Sequence, residues 1–244
     1  MLPSPGRPWV IAHRGASAAF PENTLAAFRG AAALGADAVE LDARRTADGA
    51  VVVHHDALVP GVGAIVKQTV ASLRRLAPWV PTLAEALEAC AGMWVDVEVK
   101  NSPADPDWDP EDGLVDRVLE VIRAGGPRVL LTSFNPATIA RARSREPGLP
   151  TGWLVEGPPL LPAVARAAAE GHRFLLPHHS LLGGDAARVA AESARQAGIG
   201  LIAWTVDEPA EGRRLAAAGL DGIVTNRPDA LRSALDEHRH HHGG

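Results

Sequence analysis

The feature that most constrains the fold is a repeated alternation of short apolar runs and amphipathic helical patterns along the chain. Eight apolar runs have the length and composition of strands, at residues 9–13, 38–42, 94–100, 128–134, 151–156, 173–178, 200–206 and 221–225. Strands separated by helices pair in parallel, and eight such units favour a closed barrel. The sequence therefore predicts an α/β protein that is a single (β/α)8 TIM barrel, with an open, doubly wound sheet as the alternative.

One long interruption follows the second strand. A ninth apolar run at residues 51–55 precedes the segment 57–81, which carries Pro-Gly-Val-Gly and then a helical pattern at 70–76. The segment is too short for a second domain, so it is predicted to be an insertion loop over the barrel mouth. The barrel is expected to occupy residues 1–237, and the His-rich residues 238–244 are expected to be a disordered tail.

Composition excludes several classes of protein. The formal net charge of −5 argues against a general nucleic-acid binder. A single cysteine, Cys90, excludes an internal disulfide and gives no sign of an oxidising compartment. The first residues lack the apolar stretch of a signal peptide, and no apolar run is long enough to span a bilayer. We expect a cytoplasmic protein without stable membrane insertion, and the sequence leaves its oligomeric state open.

Charged residues stand at alternate positions within two of the predicted strands. Glu40 and Asp42 lie in the second strand, and Glu98 and Lys100 lie in the third. Alternate residues of a strand share a face, so each pair points the same way. If that face is interior, unpaired charges would each cost several kcal/mol, and a metal ion with an anionic substrate is the simplest compensation. An internal salt-bridge cluster with Arg14, Arg44 and Lys100 is the structural alternative.

Nine ordered segments carry a resemblance to a known family. They are Ile11-Ala-His-Arg-Gly, Glu22-Asn-Thr, Val39-Glu-Leu-Asp, Val52-Val-His-His-Asp, Pro81-Thr-Leu, Val97-Glu-Val-Lys, Thr132-Ser-Phe, Trp204-Thr-Val-Asp and Asp221-Gly-Ile-Val-Thr. In this order they resemble the glycerophosphodiester phosphodiesterase family over nearly the whole chain. The resemblance implies a TIM barrel that uses a divalent cation to hydrolyse glycerophosphodiesters to glycerol 3-phosphate and an alcohol.

The resemblance assigns the metal ligands and the acid/base pair. Glu40, Asp42 and Glu98 would bind one divalent cation, and their hard oxygen donors suit Mg²⁺ or Ca²⁺, with Mn²⁺ as a further candidate. His13 and His55 would be the catalytic acid and base, because histidine exchanges protons near neutral pH. In the family's chemistry, a glycerol hydroxyl attacks the phosphorus and expels the alcohol. Water then opens the cyclic phosphate, and the two histidines exchange roles between the steps.

Further residues are assigned to substrate binding. The resemblance makes Arg14 and Lys100 the groups that bind the phosphate, the first as a fork of donors and the second as a point charge. Trp204 is expected either to line the glycerol or alcohol pocket or to pack in the core. His178 and His179, at the same rim, are compatible with contact to the leaving group and with a loop role.

Supporting roles are expected for residues of the first loop. Glu22 and Asn23 are predicted to hold this loop together, and either Asn23 or Thr24 is predicted to cap the first helix. Direct ligation of the metal by Glu22 or Asn23 stays open beside this structural role.

Strand alternation also gives expectations for the neighbours of the catalytic residues. Asp56 is expected to orient the site beside His55, although adjacent residues of a strand point to opposite faces. His54 is expected to be structural for the same reason. Asp96 shares the face of Glu98 but lies deeper, and it is expected to support the ligands rather than to be one.

Two segments depart from the family pattern. After His55-Asp56 the chain continues Ala57-Leu-Val-Pro-Gly, and the last strand is followed by Thr225-Asn226-Arg227-Pro228, where the family often has an aspartate second. Neither departure removes a proposed ligand or acid/base residue. Three alternative functions stay open: a lysophospholipase D-like hydrolase on lipid phosphodiesters, a metal-dependent lyase or aldolase, and a non-catalytic binding barrel. The expected partner is a small-molecule glycerophosphodiester substrate.

Overall fold

Strands and helices alternate along the described chain. The structure is a computed structural model that describes residues 7–157 and 159–240. In chain order its strands are β1 (Trp9–His13), β2 (Ala38–Arg45), β3 (Val51–Val53), β4 (Leu58–Val59), β5 (Gly63–Ala64), β6 (Trp94–Val99), β7 (Arg128–Ser133), β8 (Thr151–Val155), β9 (Phe174–Pro177), β10 (Gly200–Ala203) and β11 (Gly222–Thr225). The α-helices are α1 (Leu25–Ala33), α2 (Val70–Leu76), α3 (Leu83–Ala89), α4 (Gly113–Arg123), α5 (Pro136–Arg145), α6 (Leu160–Ala169), α7 (Ala186–Gln196), α8 (Pro209–Ala217) and α9 (Pro228–His240).

Eight of the described strands close into a parallel barrel. Around it the order is β1, β2, β6, β7, β8, β9, β10 and β11, and β1 pairs with both β2 and β11. This closure confirms the predicted (β/α)8 barrel and excludes the open sheet, which would leave two edge strands. The carboxyl ends of all eight strands lie at one end of the barrel, which we call the mouth.

The barrel interior away from the mouth is packed with apolar side chains. The buried interior cluster consists of Trp9, Ile11, Ala38, Leu130, Leu154, Phe174, Leu176, Ile202 and Val224. The intervening strand residues pack outward against the helices, as Val39 and Val95 do on one side and Leu201 does on the other. Both faces of the strands are therefore buried, which explains why the strands read as continuous apolar runs.

The strands end differently from the prediction at the mouth. β2 is longer than predicted because its last three residues pair antiparallel with β3. Five strands predicted to end at residues 100, 134, 156, 178 and 206 end instead at Val99, Ser133, Val155, Pro177 and Ala203. β3 ends at Val53, before His55. The last predicted residues belong to the loops of the mouth, where side chains no longer follow strand alternation.

The insertion after β3 has secondary structure and a small core of its own. It contains the antiparallel hairpin β4–β5, a 3-10 helix at Ile65–Lys67 and the helix α2. Its buried apolar cluster consists of Val52, Val59, Ile65, Leu73, Ala77 and Val80. The segment predicted as a loop excursion is therefore an ordered unit packed on the outer strand β3.

Helix ends follow the expected capping chemistry. Thr82 and Glu85 form a reciprocal capping box at the start of α3. The five glycines that the sequence places after helices all have positive φ angles: Gly35, Gly125, Gly171, Gly198 and Gly219. Cys90, which follows α3, is buried, and burial raises the pKa of its thiol to about 12. This cysteine is therefore a packing residue.

The end of the chain is helical as far as it is described. Helix α9 extends to His240, three residues into the segment predicted to be a disordered tail, and residues 241–244 lie outside the described residues. The domain boundary at residue 237 stays a prediction. Within the described chain, none of the helices is both long enough and apolar enough to cross a membrane.

Candidate active site

Parallel pairing stacks charged residues of three neighbouring strands in two layers near the mouth. In the strand register His13 lies beside Glu40, and Glu40 lies beside Asp96. One layer closer to the mouth, Asp42 lies beside Glu98. All four acidic residues are buried. Since successive inward positions of a strand are two residues apart, the predicted shared faces and the deeper position of Asp96 are both confirmed.

Three of these carboxylates form a candidate metal centre. One carboxylate oxygen from each of Glu40, Asp42 and Glu98 lies within 4.8 Å of the other two. Oε1 of Glu40 is buried and has no hydrogen-bond partner in the described part of the chain. A buried, unpaired carboxylate oxygen is costly, so the arrangement fits a bound cation. Hard oxygen donors suit Mg²⁺, Ca²⁺ or Mn²⁺ and disfavour Zn²⁺ or Cu²⁺.

Burial and mutual repulsion perturb the protonation of this acidic cluster. Burial, together with the charges of Asp42 and Glu98, raises the pKa of Glu40 well above its usual value. Burial raises the pKa of Glu98 to about 7, against the opposing charge of Lys100. Burial also acts to raise the pKa of Asp42, but Lys100 and Arg14 outweigh it and hold that pKa below its usual value. The cluster therefore contains more buried carboxyl groups than neighbouring positive charges can neutralise.

Two cations border the acidic cluster. Lys100 Nζ lies 2.7 Å from Glu98 Oε1 and 3.0 Å from Asp42 Oδ1. Arg14 Nε lies 3.4 Å from Asp42 Oδ2, and its Nη1 donates to both carboxylate oxygens of Glu22 at 3.0 and 3.1 Å. The backbone N–H of Arg14 donates to Glu40 Oε2 at 2.9 Å. Two positive charges thus face three buried carboxylates, and Arg14 is shared with Glu22.

Arg44 does not belong to this cluster. Its Nη1 donates to both oxygens of Asp107 at 2.8 Å, and its Nε donates to the backbone oxygen of His55 at 2.8 Å. The salt-bridge alternative is therefore wrong in placing Arg44 among the buried acids. Arg44 instead ties the loop after β6 to the segment that carries His55.

His13 ends β1 and borders the acidic cluster. Its Nε2 lies 3.9 Å from Glu40 Oε2, and its Nδ1 lies 2.7 Å from Asn226 Oδ1. Burial and the charge of Arg14 lower the pKa of His13 below its usual value, although the hydrogen bond to Asn226 opposes this. A neutral imidazole can accept a proton at the nitrogen that faces the cluster.

His55 lies beyond β3 and is oriented by its neighbour. Its Nδ1 lies 2.7 Å from Asp56 Oδ1. This contact agrees with the expectation that Asp56 orients the site beside His55. Strand alternation does not separate the two side chains, because β3 ends at Val53 and both residues lie in the following loop. Burial lowers the pKa of His55, and the charge of Asp42 opposes that change. His54 Nδ1 lies 2.8 Å from the backbone oxygen of Asp56, consistent with its predicted structural role.

The first loop supports the ligands from above β1. Thr24 is the N-cap of α1, and its hydroxyl accepts a hydrogen bond from the backbone N–H of Ala27. Asn23 instead donates through Nδ2 to Asp42 Oδ2 at 2.7 Å. Gly15 has a φ of 77°, and a Cβ there would lie 2.7 Å from the Ala27 side chain, so this sharp turn requires glycine. The capping role falls to Thr24, and Asn23 fixes a carboxylate.

Asp96 lies in the deeper layer, beside Glu40 and one layer below Asp42 and Glu98. Thr132 donates to its Oδ1 at 2.7 Å, and burial raises the pKa of Asp96 to about 8. Among the described residues, the set of oxygens within 4.8 Å of one another comes from Glu40, Asp42 and Glu98 and does not include Asp96. This geometry agrees with the predicted supporting position.

Three rings form an aromatic wall at the mouth, with Trp204 and His178 across from the charged strands and Phe134 directly after β7, next to β6. The Trp204 ring packs edge-on against Phe134 and His178, with ring centroids 5.3 and 4.8 Å apart. Trp204 Nε1 donates to the backbone oxygen of Leu176 at 2.7 Å, which fixes the indole. His178 Nδ1 lies 2.7 Å from Ser180 Oγ. Trp204 thus packs in the wall with its ring half-buried.

A cavity of about 600 Å³ lies beside the acidic cluster, at the ends of β6 and β7 and the loops that follow them. Its lining includes His55, Glu98, Lys100 and Phe134. The insertion contributes Leu58, which confirms that its first residues lie at the mouth. Phosphate-sized and alcohol-sized groups therefore have room beside the carboxylate cluster.

Several site residues were not identified by sequence reasoning. Asn226 and Asp107, which hold His13 and Arg44, lie 213 and 63 residues from those partners. Asn226 was visible only as a departure from the family pattern, and no local signal indicated its contact. Asp207, which binds Asn226, was visible only within the segment Trp204-Thr-Val-Asp.

Comparison with known proteins places this geometry in a family. The model of the "Glycerophosphoryl diester phosphodiesterase family" matches residues 13–230. A glycerophosphodiester phosphodiesterase of Caldanaerobacter subterraneus is 30% identical, with 91% of this chain and 95% of the relative covered. A glycerophosphodiester phosphodiesterase of Bacillus subtilis is 27% identical, with 93% of this chain and 86% of the relative covered.

Solved structures agree over the whole fold. An Oleispira antarctica phosphodiesterase in complex with the product sn-glycerol-3-phosphate matches with a TM-score of 0.83 and 28% identity, covering 94% of this chain and 97% of that one. The glycerophosphodiester phosphodiesterase of Thermotoga maritima matches with a TM-score of 0.81 and 27% identity, covering 93% and 98%. The family match, the barrel and the acidic centre at its mouth agree, and this chain belongs to the glycerophosphodiester phosphodiesterase family.

Proposed function

We propose that this chain is a divalent-cation-dependent phosphodiesterase that hydrolyses glycerophosphodiesters to glycerol 3-phosphate and an alcohol. The observation that carries the proposal is the convergence of the Glu40, Asp42 and Glu98 oxygens within 4.8 Å, with His13 and His55 at the same mouth. The family match supports the reaction class.

Glu40, Asp42 and Glu98 are proposed to hold one cation, either Mg²⁺ or Ca²⁺, with Mn²⁺ as a further candidate. When bound, the cation supplies positive charge that stabilises the negative oxygens of the reacting phosphate. Lys100 forms an ion pair with Asp42, and Asn23 donates a hydrogen bond to it. Together they fix the orientation of that carboxylate. Asp96 lies beside Glu40 in the deeper layer and accepts a hydrogen bond from the Thr132 hydroxyl.

Arg14 and Lys100 are proposed to bind the phosphate. Both cations lie at the acidic cluster, with their side chains 18% and 12% exposed, so they retain access to the mouth. Glu22 holds the Arg14 guanidinium from the solvent side, which fixes it without filling the cavity. Positive groups held in place before reaction stabilise the charge that accumulates on phosphate oxygens in the transition state.

His13 and His55 are proposed to move the protons. In the first step one imidazole takes the proton of the glycerol hydroxyl as its oxygen bonds to phosphorus, and the other gives a proton to the departing alkoxide. In the second step the roles exchange, and a water oxygen bonds to phosphorus as the ring P–O bond of the cyclic phosphate breaks. Asp56 contacts Nδ1 of His55, so Nε2 of His55 is the nitrogen available for proton transfer.

The aromatic wall of Trp204, Phe134 and His178 is proposed to accommodate the glycerol or the alcohol group. A second candidate substrate is a lysophospholipid, which a lysophospholipase D-like enzyme would cleave by the same chemistry. The observation that favours it is Leu58, which lines the cavity and is 53% exposed. A lyase or aldolase has less use for two histidines beside a phosphate site.

The cellular setting follows from this substrate class. We propose a role in lipid and glycerol metabolism and a cytoplasmic location. The acidic net charge of −5 supports a small-molecule partner rather than a nucleic acid.

A screen of metals against substrates tests the proposal. Purified protein is assayed with Mg²⁺, Ca²⁺ or Mn²⁺ on glycerophosphocholine, glycerophosphoethanolamine and a lysophospholipid, and released glycerol 3-phosphate is measured with a coupled dehydrogenase. Turnover that is lost in a chelator and in His13→Ala and Glu40→Ala, with folded proteins by circular dichroism, is the expected result. Equal cleavage of a substrate that lacks the adjacent glycerol hydroxyl would contradict the cyclic-phosphate route.

A further inference from the structure

A chain of hydrogen bonds runs behind His13, on the side away from the acidic cluster. His13 Nδ1 lies 2.7 Å from Asn226 Oδ1, and Asn226 Nδ2 donates to Asp207 Oδ2 at 2.7 Å. The three residues come from the ends of neighbouring strands. Ala12 pairs with Thr225 across the seam between β1 and β11, so His13 and Asn226 face each other one position further on.

The partners of Asp207 fix the orientation of the Asn226 amide. A carboxylate only accepts hydrogen bonds, and Asp207 accepts from the Thr225 hydroxyl at 3.2 Å, the Asn226 backbone N–H at 2.8 Å and the Asn226 side chain. The Asn226 nitrogen must therefore face Asp207, and its oxygen must face His13. Ser17 Oγ also donates to that oxygen at 2.8 Å, which agrees with this orientation.

This orientation determines which nitrogen of His13 carries the proton. An amide oxygen cannot donate, so Nδ1 of His13 must be the donor in the 2.7 Å contact. In the neutral imidazole the proton then lies on Nδ1, and Nε2 is left with a free lone pair. Nε2 is the nitrogen that faces the acidic cluster, 3.9 Å from Glu40 Oε2.

We propose that Asn226 and Asp207 are positioning residues that hold His13 as the Nδ1–H tautomer, with Nε2 directed at the substrate. Asp207 acts through Asn226, and Asn226 acts through His13. The inference rests on the proposed function, because it assigns the atom of His13 that takes and returns the proton. It also distinguishes the two histidines, since His55 is held directly by a carboxylate and His13 by a neutral amide.

A merely structural role is the competing explanation. The backbone oxygen of Asn226 accepts from the backbone N–H of Ala18 at 3.0 Å, so the residue also fastens the first loop to the last strand. Loss of that role would change folding or substrate binding but would not select a tautomer. The test therefore has to read the ring of His13 itself.

Nitrogen-15 NMR of the imidazole rings reads the tautomer. In the wild-type chain saturated with Mg²⁺, His13 is assigned by comparison with His13→Gln, and its neutral ring is expected to carry the proton on Nδ1. In Asn226→Ala and in Asp207→Asn, a mixture of tautomers is expected. The first variant removes the acceptor, and the second lets the Asn226 amide turn over. A neutral wild-type ring protonated on Nε2 would overturn the inference.

Steady-state kinetics on a glycerophosphodiester give the functional readout. Asn226→Ala is expected to lower kcat by about 10- to 100-fold with little change in KM, the size of effect that follows when the hydrogen-bond partner of a metal-bound histidine is removed. Asp207→Asn, which keeps the side-chain shape, is expected to lower kcat by about tenfold. Ser17→Ala is the matched control, because it removes a donor to the same oxygen from the same loop. Its effect should be less than about threefold, the size of one weak hydrogen bond.

The outcomes separate this inference from the proposed function. Circular dichroism checks that the variants fold. If both Asn226→Ala and Asp207→Asn keep kcat within about threefold of wild type, the positioning role is wrong, whatever the enzyme cleaves. If the wild-type ring is the Nδ1–H tautomer but no glycerophosphodiester is cleaved, the hydrogen-bond chain is supported and the proposed function fails.

Discussion

The two halves of the barrel mouth obey the same strand alternation but carry opposite chemistry. On β2 and β6 the inward positions hold Asp42 and Glu98, whose charges are buried beside those of Glu40. Across the barrel from β6, Trp204 follows β10 and makes ring contacts with His178 and with Phe134, which follows β7. The charged half is held together against mutual repulsion, whereas the aromatic half is stabilised by packing. Substitutions in the charged half should therefore affect activity more than stability, and those in the aromatic half should affect both.

The largest expected effect is that of neutralising one ligand. Glu40→Gln keeps the volume of the side chain but removes a charge that repels Asp42 and Glu98. We expect kcat/KM to fall about 10³-fold, since a Lewis-acid contribution of several kcal/mol is lost. In chelator, the urea midpoint of the variant should equal or exceed that of wild type. Glu88→Gln on the exposed surface of α3 is the control, and a lower midpoint for Glu40→Gln would contradict the comparison.

Adding the cation should stabilise the charged half. A divalent ion at about 100 times its Kd contributes about 2.7 kcal/mol, which corresponds to a rise in Tm of roughly 5–10 °C for a chain of this size. The measurement is thermal unfolding with and without Mg²⁺, Ca²⁺ or Mn²⁺. Glu98→Gln should lose most of this rise, whereas Trp204→Phe should keep it. An equal rise in Glu98→Gln would place the cation elsewhere.

A substitution in the aromatic wall should lower stability and weaken substrate binding, with a smaller effect on kcat. Trp204→Ala removes ring contacts with Phe134 and His178 and the indole hydrogen bond to Leu176. We expect the free energy of unfolding to fall by about 2 kcal/mol, below the range for fully buried tryptophans because Trp204 is half-buried. KM should rise about tenfold, while kcat changes less, because binding energy is lost in both the ground and transition states. Trp204→Phe is the conservative control, and a fall confined to kcat would refute the binding role.

The smallest expected effect concerns a histidine far from the mouth. It changes the pH dependence of stability and leaves that of activity unchanged. His172 precedes β9, is 3% exposed, and lies 3.0 Å from Thr151 Oγ1. Burial lowers its pKa below 6.5, helped by Arg143 and Arg166 and opposed by Glu170. Below about pH 6.5 the unfolded chain therefore binds more protons, and the stability of the folded chain falls.

His172→Gln should flatten the change in unfolding free energy between about pH 7 and pH 5, a window that spans the pKa of an unfolded histidine. Urea unfolding at the two pH values is the measurement. Activity should not change, because His172 lies at the opposite end of the barrel from the ligands. A variant with the pH dependence of wild type would show that the stability change arises elsewhere.

Local pattern determined much of the fold and part of the site. The apolar runs predicted all eight barrel strands, and the spacing of Glu40, Asp42 and Glu98 predicted a shared interior face. Both inferences depend on the period of a strand, which is a property of a few consecutive residues. Strand alternation does not apply to His55 and Asp56, because β3 ends before them and their contact is made within a loop.

What the sequence determined by itself is the alternation that makes a parallel barrel and the identity of the charged residues inside it. Only the tertiary structure decided which charges pair. Arg44, for example, pairs with Asp107 and not with the acidic cluster. It also decided that Asn226 reaches His13 across 213 residues of chain. The physical reason is that periodicity is local, whereas these contacts exist only after β1 and β11 pair and close the barrel.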